Sequence, residues 1–498
     1  MKLEEKHFHA PWWLALICIL ICMSLLFSFE QNVGASNTIN EETDENASNI
    51  LYIPVVFSNY RNKRNFGFES NRALLEGSKL FNRGAALDVS WARMGNRVSW
   101  KDMQPNPGDA IDWSQVAQFD EELKALNAVG MTPLVIIQEY PHWAVDPYGW
   151  YGQPTSCGPL RADMFDEFAE FMQEVVNHYK APIYNVHNWE LGNEPDVDPG
   201  LLPAPDWGFG CWGDITDPFY GGRHYGEMIK VVGRAIKQAD PTATVWLGGL
   251  LLDVPETLDP DRGKPELFLN GVLEVGAAPY FDVVGYHWYP PYHNTMEDHD
   301  LSRGGWADWG GGTIGKAQFL RQTMEEYGVE KPVVLNETGL ICVEWTGYCD
   351  PSPVPSFYEM QADNLIRSFV RGLSVDVAGF IWYTLNGPGW RHTGLLNENH
   401  DPYEAYYTYQ NLASQLKNAW YAGIVDYDSG IEAYSFRRGS EVVQVAWTRT
   451  DTVIPITFPV SKFIDAYDRA GNRVTPIQVG DNYQIDIRFT PTFLVLDP

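Results

Sequence analysis

The chain has 498 residues, is 45% hydrophobic and carries a formal net charge of −30. That length exceeds one ordinary core and points to a large domain with a smaller companion. The acidity argues against nucleic acid and anionic membrane surfaces as partners. Its 19 Trp and 26 Tyr, many of them in loops, suit a cleft that stacks on the apolar faces of sugar rings.

Pro11 to Phe29 is apolar and free of charge, and it leads to the small or β-branched Val33-Gly34-Ala35. Residues 1–35 therefore read as an export signal cut near Ala35. An uncleaved membrane anchor is the alternative, since a segment of this length nearly spans a bilayer. Either one places the body of the protein outside the cytoplasm, at the cell surface or beyond it. Residues 36–60 form a flexible tether, polar from Ser36 to Asn49.

From Asn65 the chain alternates short apolar runs with segments of helical period. Strands are expected at Asn65–Glu69, Leu87–Met94, Thr132–Gln138, Tyr184–Leu191, Thr244–Gly249, Phe281–His287, Pro332–Asn336 and Ala378–Leu385. Helices are expected at Arg72–Phe81, Trp113–Val129, Ala162–Tyr179, Tyr225–Gln238, Pro265–Val275, Ile314–Tyr327, Phe357–Leu373 and Tyr403–Leu416. Eight such units make an α/β fold, a (β/α)8 TIM barrel over residues 61–418. A doubly wound sheet would want a Gly-rich phosphate turn after its first strand, and no Gly-x-Gly-x-x-Gly stands there.

After about Ala419 the helical period stops. Short alternating runs at Glu432–Arg437, Val442–Arg449, Val453–Phe458, Ile464–Asp468 and Tyr483–Arg488 predict a small antiparallel, β-sandwich-like accessory domain over residues 419–498. Its aromatics have core spacing, so it is expected to buttress the barrel rather than to bind glycan. Cys157, Cys211, Cys342 and Cys349 allow two disulfides in an oxidising compartment, with three connectivities open. Cys342–Cys349 and Cys157–Cys211 are favoured, the first closing a short loop and the second tying two long ones. No Cys-x-x-Cys or His-rich pattern suggests a metal, and no cofactor is expected.

In a barrel, the strand ends and the loops after them converge on one pocket. Those positions hold Arg93 on strand two, then Gln138, Tyr140 and His142-Trp143 beyond strand three. Strand four leads into Asn193-Glu194, strand six into His287-Trp288-Tyr289, strand seven into Glu337, and strand eight carries Trp382 and Tyr383 with Asn386 at its mouth. Glu194 and Glu337 each follow an Asn at the end of an apolar run. Two such carboxyls are the minimum equipment for cleaving a glycosidic bond. One must carry a proton for the leaving oxygen, and the other must be ionised to meet the anomeric carbon. Arg93 near Glu337 would keep that carboxyl anionic, and Tyr289 or His287 would orient it. Asn193 is placed to hold a sugar 2-hydroxyl, and Trp382 to floor the subsite at the scissile bond. Trp150, Trp207, Trp212, Trp306, Trp309 and Trp345 are further candidates for lining subsites.

Asn193-Glu194, His287-x-Tyr289, Glu337 and Trp382, in this order on strands four, six, seven and eight, resemble the clan A glycoside hydrolases, and most closely their family 39 or family 5. The resemblance spans roughly residues 64–417. It implies a retaining mechanism with Glu194 as acid/base and Glu337 as nucleophile. At the end of strand three, where clan members often have a His or Asn, the candidates here are Gln138 and His142. The reading is thus an exported enzyme acting on an extracellular oligo- or polysaccharide, with the oligomeric state unspecified. Two alternatives keep the same residues: a transglycosylase, in which a sugar accepts the intermediate, and a non-catalytic carbohydrate-binding barrel.

Overall fold

The computed structural model describes residues 65–146, 155–197, 210–252, 264–302, 305–343, 347–349, 352–427 and 430–498. The expected leader at 1–35, the tether at 36–60, and Trp150, Trp207 and Trp345 lie outside them. Among the described residues no helix is long and apolar enough to cross a membrane.

Eight parallel strands close into a barrel in chain order. They are β1 (Asn65–Glu69), β2 (Trp91–Val98), β3 (Thr132–Ile137), β4 (Asn188–Leu191), β5 (Thr244–Leu250), β6 (Val283–Trp288), β7 (Val333–Thr338) and β8 (Gly379–Trp382). Closure is made by β1 on β8, where Asn65 faces Gly379 and Phe68 faces Trp382. The intervening helices are α1 (Ser78–Ala86), α2 (Ala117–Ala128), α3 (Phe165–Tyr179), α4 (Gly222–Ala239), α5 (Phe268–Glu274), α6 (Gly312–Glu326), α7 (Pro355–Ser374) and α8 (Glu404–Leu416). Each lays an apolar stripe on the strands. In α3, Phe165, Phe168, Ala169, Phe171, Met172, Val175, Val176 and Tyr179 are buried at the three- and four-residue spacing of one helical face.

Several element bounds differ from the sequence expectation, each for a local backbone reason. The second strand begins at Trp91 rather than Leu87, because Leu87 caps α1 and Asp88 turns the chain at φ 57°. The fourth begins at Asn188 rather than Tyr184, after Asn185 at φ 58°. The first helix starts at Ser78 rather than Arg72, because Gly77 at φ 81° precedes it. In such left-handed positions neither helix nor strand can continue.

Inside the barrel, Trp91, Leu134, Trp246, Val283, Val334 and Ile381 form an apolar plug, with the Trp91 and Trp246 rings 5.1 Å apart. Side chains alternate along a strand, so residues two further on share the inward face. Above Trp91 that residue is Arg93, and above Val334 it is Asn336. The barrel interior thus changes from apolar to charged within one step of the pleat.

The C-terminal part forms two antiparallel sheets: β9 (Trp420–Ile424), β10 (Ile431–Arg438), β11 (Glu441–Thr448), β13 (Phe463–Tyr467) and β16 (Thr492–Leu496) in one, and β12 (Ile454–Pro459), β14 (Ile477–Val479) and β15 (Asn482–Ile487) in the other. Ile431, Ala446 and Leu494 of the first sheet share a core with Ile456, Ile485 and Ile487 of the second. Three of these strands escape sequence reading. β16 is buried along its whole length and shows no alternation, β14 is an exposed edge of three residues, and β9 alternates between exposed and half-buried positions. The larger sheet is fused to the barrel, since Phe436, Trp447 and Phe493 belong to the same buried cluster as Phe369 and Tyr409 of α7 and α8. Ion pairs reinforce the contact. Arg371 of α7 donates to Glu432 of β10 at 2.8 Å and to Asp298 at 2.6 Å, and Arg469 donates to Asp363 and Glu404 at 2.6 Å each.

Both favoured disulfides form, Cys157–Cys211 and Cys342–Cys349. The first spans 54 residues, and closing a loop of that length removes about 4 kcal/mol of unfolded-chain entropy in the loop-closure account.

Candidate active site

The carboxyl ends of the strands bring a dense charged cluster together around Arg93, which is fully buried. Each of its five N–H groups has a protein acceptor. Nε donates to Glu190 Oε2 at 2.8 Å, and Nη2 donates to Glu190 Oε1 at 2.8 Å and to Asn193 Oδ1 at 2.7 Å. Nη1 donates to Glu337 Oε2 at 2.7 Å and to Glu69 Oε2. Arg93 therefore has no donor left for a ligand. It clamps the carboxyls of the site, two of its N–H groups on Glu190 and one on Glu337. Glu190 is the structural counter-ion, fully buried, and accepts also from Gly249 N at 3.0 Å and Asn336 Nδ2 at 2.8 Å.

Glu194 reaches the pocket through an unusual backbone. Gly192 at φ 88° and Glu194 at φ 49° turn the chain sharply off β4, and Glu194 N then donates to Gly249 O at 3.0 Å. A left-handed glutamate costs about 1–3 kcal/mol, so the surrounding structure must hold Glu194 in this conformation. Burial pushes the Glu194 carboxyl up to about 7, opposed by the charges of Lys316 and Arg93. Its Oε1 lies 2.8 Å from His287 Nδ1. Burial lowers His287 to about 4, so its imidazole is neutral at neutral pH. His287 Nε2 is packed against Gly249, where an added Cβ would stand 2.0 Å away. Behind them, Lys316 of α6 donates to the His287 carbonyl at 2.8 Å and to that of Leu251, tying the ends of β5 and β6. Asp196 accepts from the N–H groups of Leu251 and Leu252 at 2.9 and 2.8 Å.

Glu337, at the end of β7, is held from two sides, by Arg93 on Oε2 and by the Tyr289 hydroxyl on Oε1. His287 Nδ1 lies 3.5 Å from its Oε2. One oxygen of Glu194, one of Glu337 and one ring nitrogen of His287 all lie within 4.8 Å of one another. Among the described residues this is the one set spaced to hold a metal ion. The Arg93 guanidinium, already seated on Glu337, makes it a poor cation site.

Among the sequence-predicted site residues, Arg93, Asn193, Glu194, His287, Tyr289 and Glu337 converge on this pocket. Asn193 turns its carbonyl oxygen to Arg93, which leaves its NH2 as the free end of the amide. Gln138 is buried at the end of β3. His142 is exposed, and Trp143 packs edge-on against Trp100 with ring centroids 5.1 Å apart. Trp143 lines a flank groove of about 930 Å³ with Trp113 and Phe171, and that groove is not the carboxylate pocket. Trp382 is not brought to the pocket. It is fully buried beside Phe369 of α7, and its indole N–H donates to Thr393 O at 2.9 Å. Ile381 takes the inward position on β8. The aromatic groups that do stand by the carboxyls are Tyr383 and Trp390, whose rings lie 6.0 and 5.3 Å from that of Tyr289. Trp390 is 42% exposed and offers a stacking face at the pocket rim. Trp212 and Trp306 are buried in the core and brace loops.

Sequence reasoning did not single out Glu69, Glu190, Lys316 or Trp390 as site residues. For Glu69 and Glu190 a signal was present, a charged residue inside an apolar strand. Lys316 lies on a helix, and nothing in its neighbours marks it as buried.

No family model and no curated protein matches the sequence. Solved structures do. A family 39 glycoside hydrolase from Bacteroides cellulosilyticus superposes with a TM-score of 0.64 at 20% identity, covering 88% of this chain and 82% of that one. A family 30 subfamily 8 xylanase from Clostridium acetobutylicum gives 0.57 at 13% identity, over 88% and 97% of the two chains. A family 39 β-xylosidase from Caulobacter crescentus gives 0.56 at 16%, over 87% and 96%. The chain shares the fold of the clan A glycoside hydrolases. A conserved exported protein from Bacteroides fragilis, with a TM-score of 0.62 at 12% identity over 87% and 97%, has the same architecture.

Proposed function

We propose that this protein is an exported retaining glycoside hydrolase that cleaves O-glycosidic bonds of an extracellular oligo- or polysaccharide by double displacement. The observation that carries the reading is the approach of Glu194 and Glu337, with oxygens no more than 4.8 Å apart. Retaining enzymes hold their carboxyls about 5–5.5 Å apart, whereas inverting ones need about 6.5–9.5 Å to admit a water.

In the first step an oxygen of Glu337 attacks the anomeric carbon while the bond to the leaving oxygen breaks. Glu194, protonated because burial raises it to about 7, gives its proton to that oxygen. In the second step Glu194, now ionised, takes a proton from water as the water attacks the same carbon and releases Glu337. Arg93 and Tyr289 hold the nucleophile by opposite oxygens, and the free NH2 of Asn193 is placed for a sugar hydroxyl.

The organisation proposed with it is a leader or anchor at 1–35, a tether at 36–60, the catalytic barrel at 61–418 and a buttressing β domain at 419–498. Two disulfides support export to an oxidising compartment. The test is a screen of residues 36–498 on nitrophenyl glycosides and polysaccharides. Xylosides come first, because two of the similar structures are named as a xylanase and a β-xylosidase. Glycan binding without any hydrolysis would sink the reading in favour of a non-catalytic barrel.

A further inference from the structure

Three carboxyls share one guanidinium in this site, and double displacement uses only one of them. Glu69 ends β1 and is buried, as is Glu190. Glu69 Oε2 and Glu337 Oε2 accept from the same nitrogen, Arg93 Nη1. Glu69 is not free to swing away. Its backbone carbonyl accepts from Leu385 N at 2.8 Å and from Thr384 Oγ1 at 3.0 Å, which fixes the strand end, while the carboxyl itself is held by Arg93 and by Gly95, over which Oε1 lies 3.1 Å from where an added Cβ would stand. The charged and titratable groups acting on it are Arg93 from β2, Glu190 from β4, Glu337 from β7, Tyr289 beyond β6 and Tyr383 beyond β8.

We propose that Glu69 is a positioning residue for Glu337, acting through the guanidinium they share, and that the site attacks substrate only while Glu69 carries a proton. The inference rests on the double-displacement reading. Three buried carboxylates on one cation are costly, and a proton on one of them relieves the repulsion. Glu190 already takes two of the five N–H groups, so the excess charge falls on the pair at Nη1. When Glu69 is neutral, Glu337 is the sole anion on that nitrogen and its free lone pairs stay aimed at the sugar. When Glu69 ionises, it draws Nη1 towards itself and loosens Glu337, and small displacements of a nucleophile are expensive in rate. Burial agrees with this order, because it holds the Glu69 carboxyl well above the usual carboxylate range.

The test uses a dinitrophenyl glycoside. Its leaving group needs no proton, so the titration of Glu194 does not appear in kcat/KM. The wild type should then lose kcat/KM about tenfold per pH unit on an alkaline limb, and Glu69→Gln should lack that limb. A wild type without the limb, or a limb that survives in Glu69→Gln, overturns the proposal. Infrared difference spectra supply a readout that needs no turnover. The protonated-carboxyl band at neutral pH should weaken in Glu69→Gln, and an unchanged band also overturns it. A wild type that hydrolyses no glycoside refutes the hydrolase reading, while the infrared band still decides whether Glu69 holds a proton.

Discussion

Glu194 and Glu337 come within 4.8 Å of each other, yet their surroundings differ in kind. Glu194 meets a neutral imidazole and is raised by burial to about 7, whereas Glu337 is clamped between a guanidinium and a phenol. In the proposed reaction this difference of environment, rather than of residue type, assigns the acid and the nucleophile.

The proposed double displacement carries a stereochemical prediction. Proton NMR of the first-formed product should show retention of anomeric configuration, and inversion would be incompatible with carboxyls this close.

Removing the carboxyls one at a time should give different signatures. Glu337→Ala should be inactive alone and yield a glycosyl azide when azide is added. Glu194→Gln should slow substrates with poor leaving groups by about 10²–10⁴-fold and dinitrophenyl glycosides far less. An equal loss on both substrates would remove Glu194 from the acid role.

The raised Glu194 carboxyl has two pH consequences. With a poor leaving group, kcat/KM should fall as pH rises through about 7, because the proton to be donated is lost. Stability should follow the same sign. A carboxyl raised in the folded state contributes fully below its unfolded value and loses that contribution as pH rises through the folded one. The loss begins at the ordinary values, 3.8 for Asp196 and 4.5 for Glu194, and is complete at about 6 and about 7; Glu194 accounts for on the order of 3 kcal/mol of it, and Glu69, also raised by burial, extends it to higher pH. Thermal midpoints should therefore drop between mildly acidic and mildly alkaline pH, and drop less in Glu194→Gln.

Trp390 and Trp382 should separate cleanly. Trp390→Ala removes an exposed stacking face and should raise KM by about 2–10-fold, as expected for the loss of one aromatic contact. Trp382→Phe breaks the indole bond to Thr393 O inside the core, and its first effect should be a lower thermal midpoint. The opposite pattern in steady-state kinetics and calorimetry would place Trp382 in the subsite after all.

Arg371 tests the joint between the barrel and the β domain. Arg371→Met strands Asp298 and Glu432, whose carboxyls it holds at 2.6 and 2.8 Å, and should cost about 3–5 kcal/mol in urea unfolding. A change near zero would mean that the sheet sits beside the barrel without bracing it.

The eight βα units were legible in the sequence because hydrophobic period is a local property, set by which face of each segment meets the core. The convergence of Glu194 and Glu337 was legible as well, because two carboxyls that each follow Asn at the end of a barrel strand must open onto the same face. Both cysteine pairs were legible for a similar reason, four residues allowing only three pairings. What the tertiary structure alone decided is how those groups are wired. Arg93 meets Glu69, Glu190 and Glu337 across sequence separations of 24, 97 and 244 residues, and no pattern within one segment carries such contacts. The exchange of Trp382 for Tyr383 and Trp390 at the pocket has an equally simple cause. Side chains alternate along a strand, so placing Ile381 inward turns Trp382 outward, and a one-residue difference in register moves a side chain from the substrate face to the core.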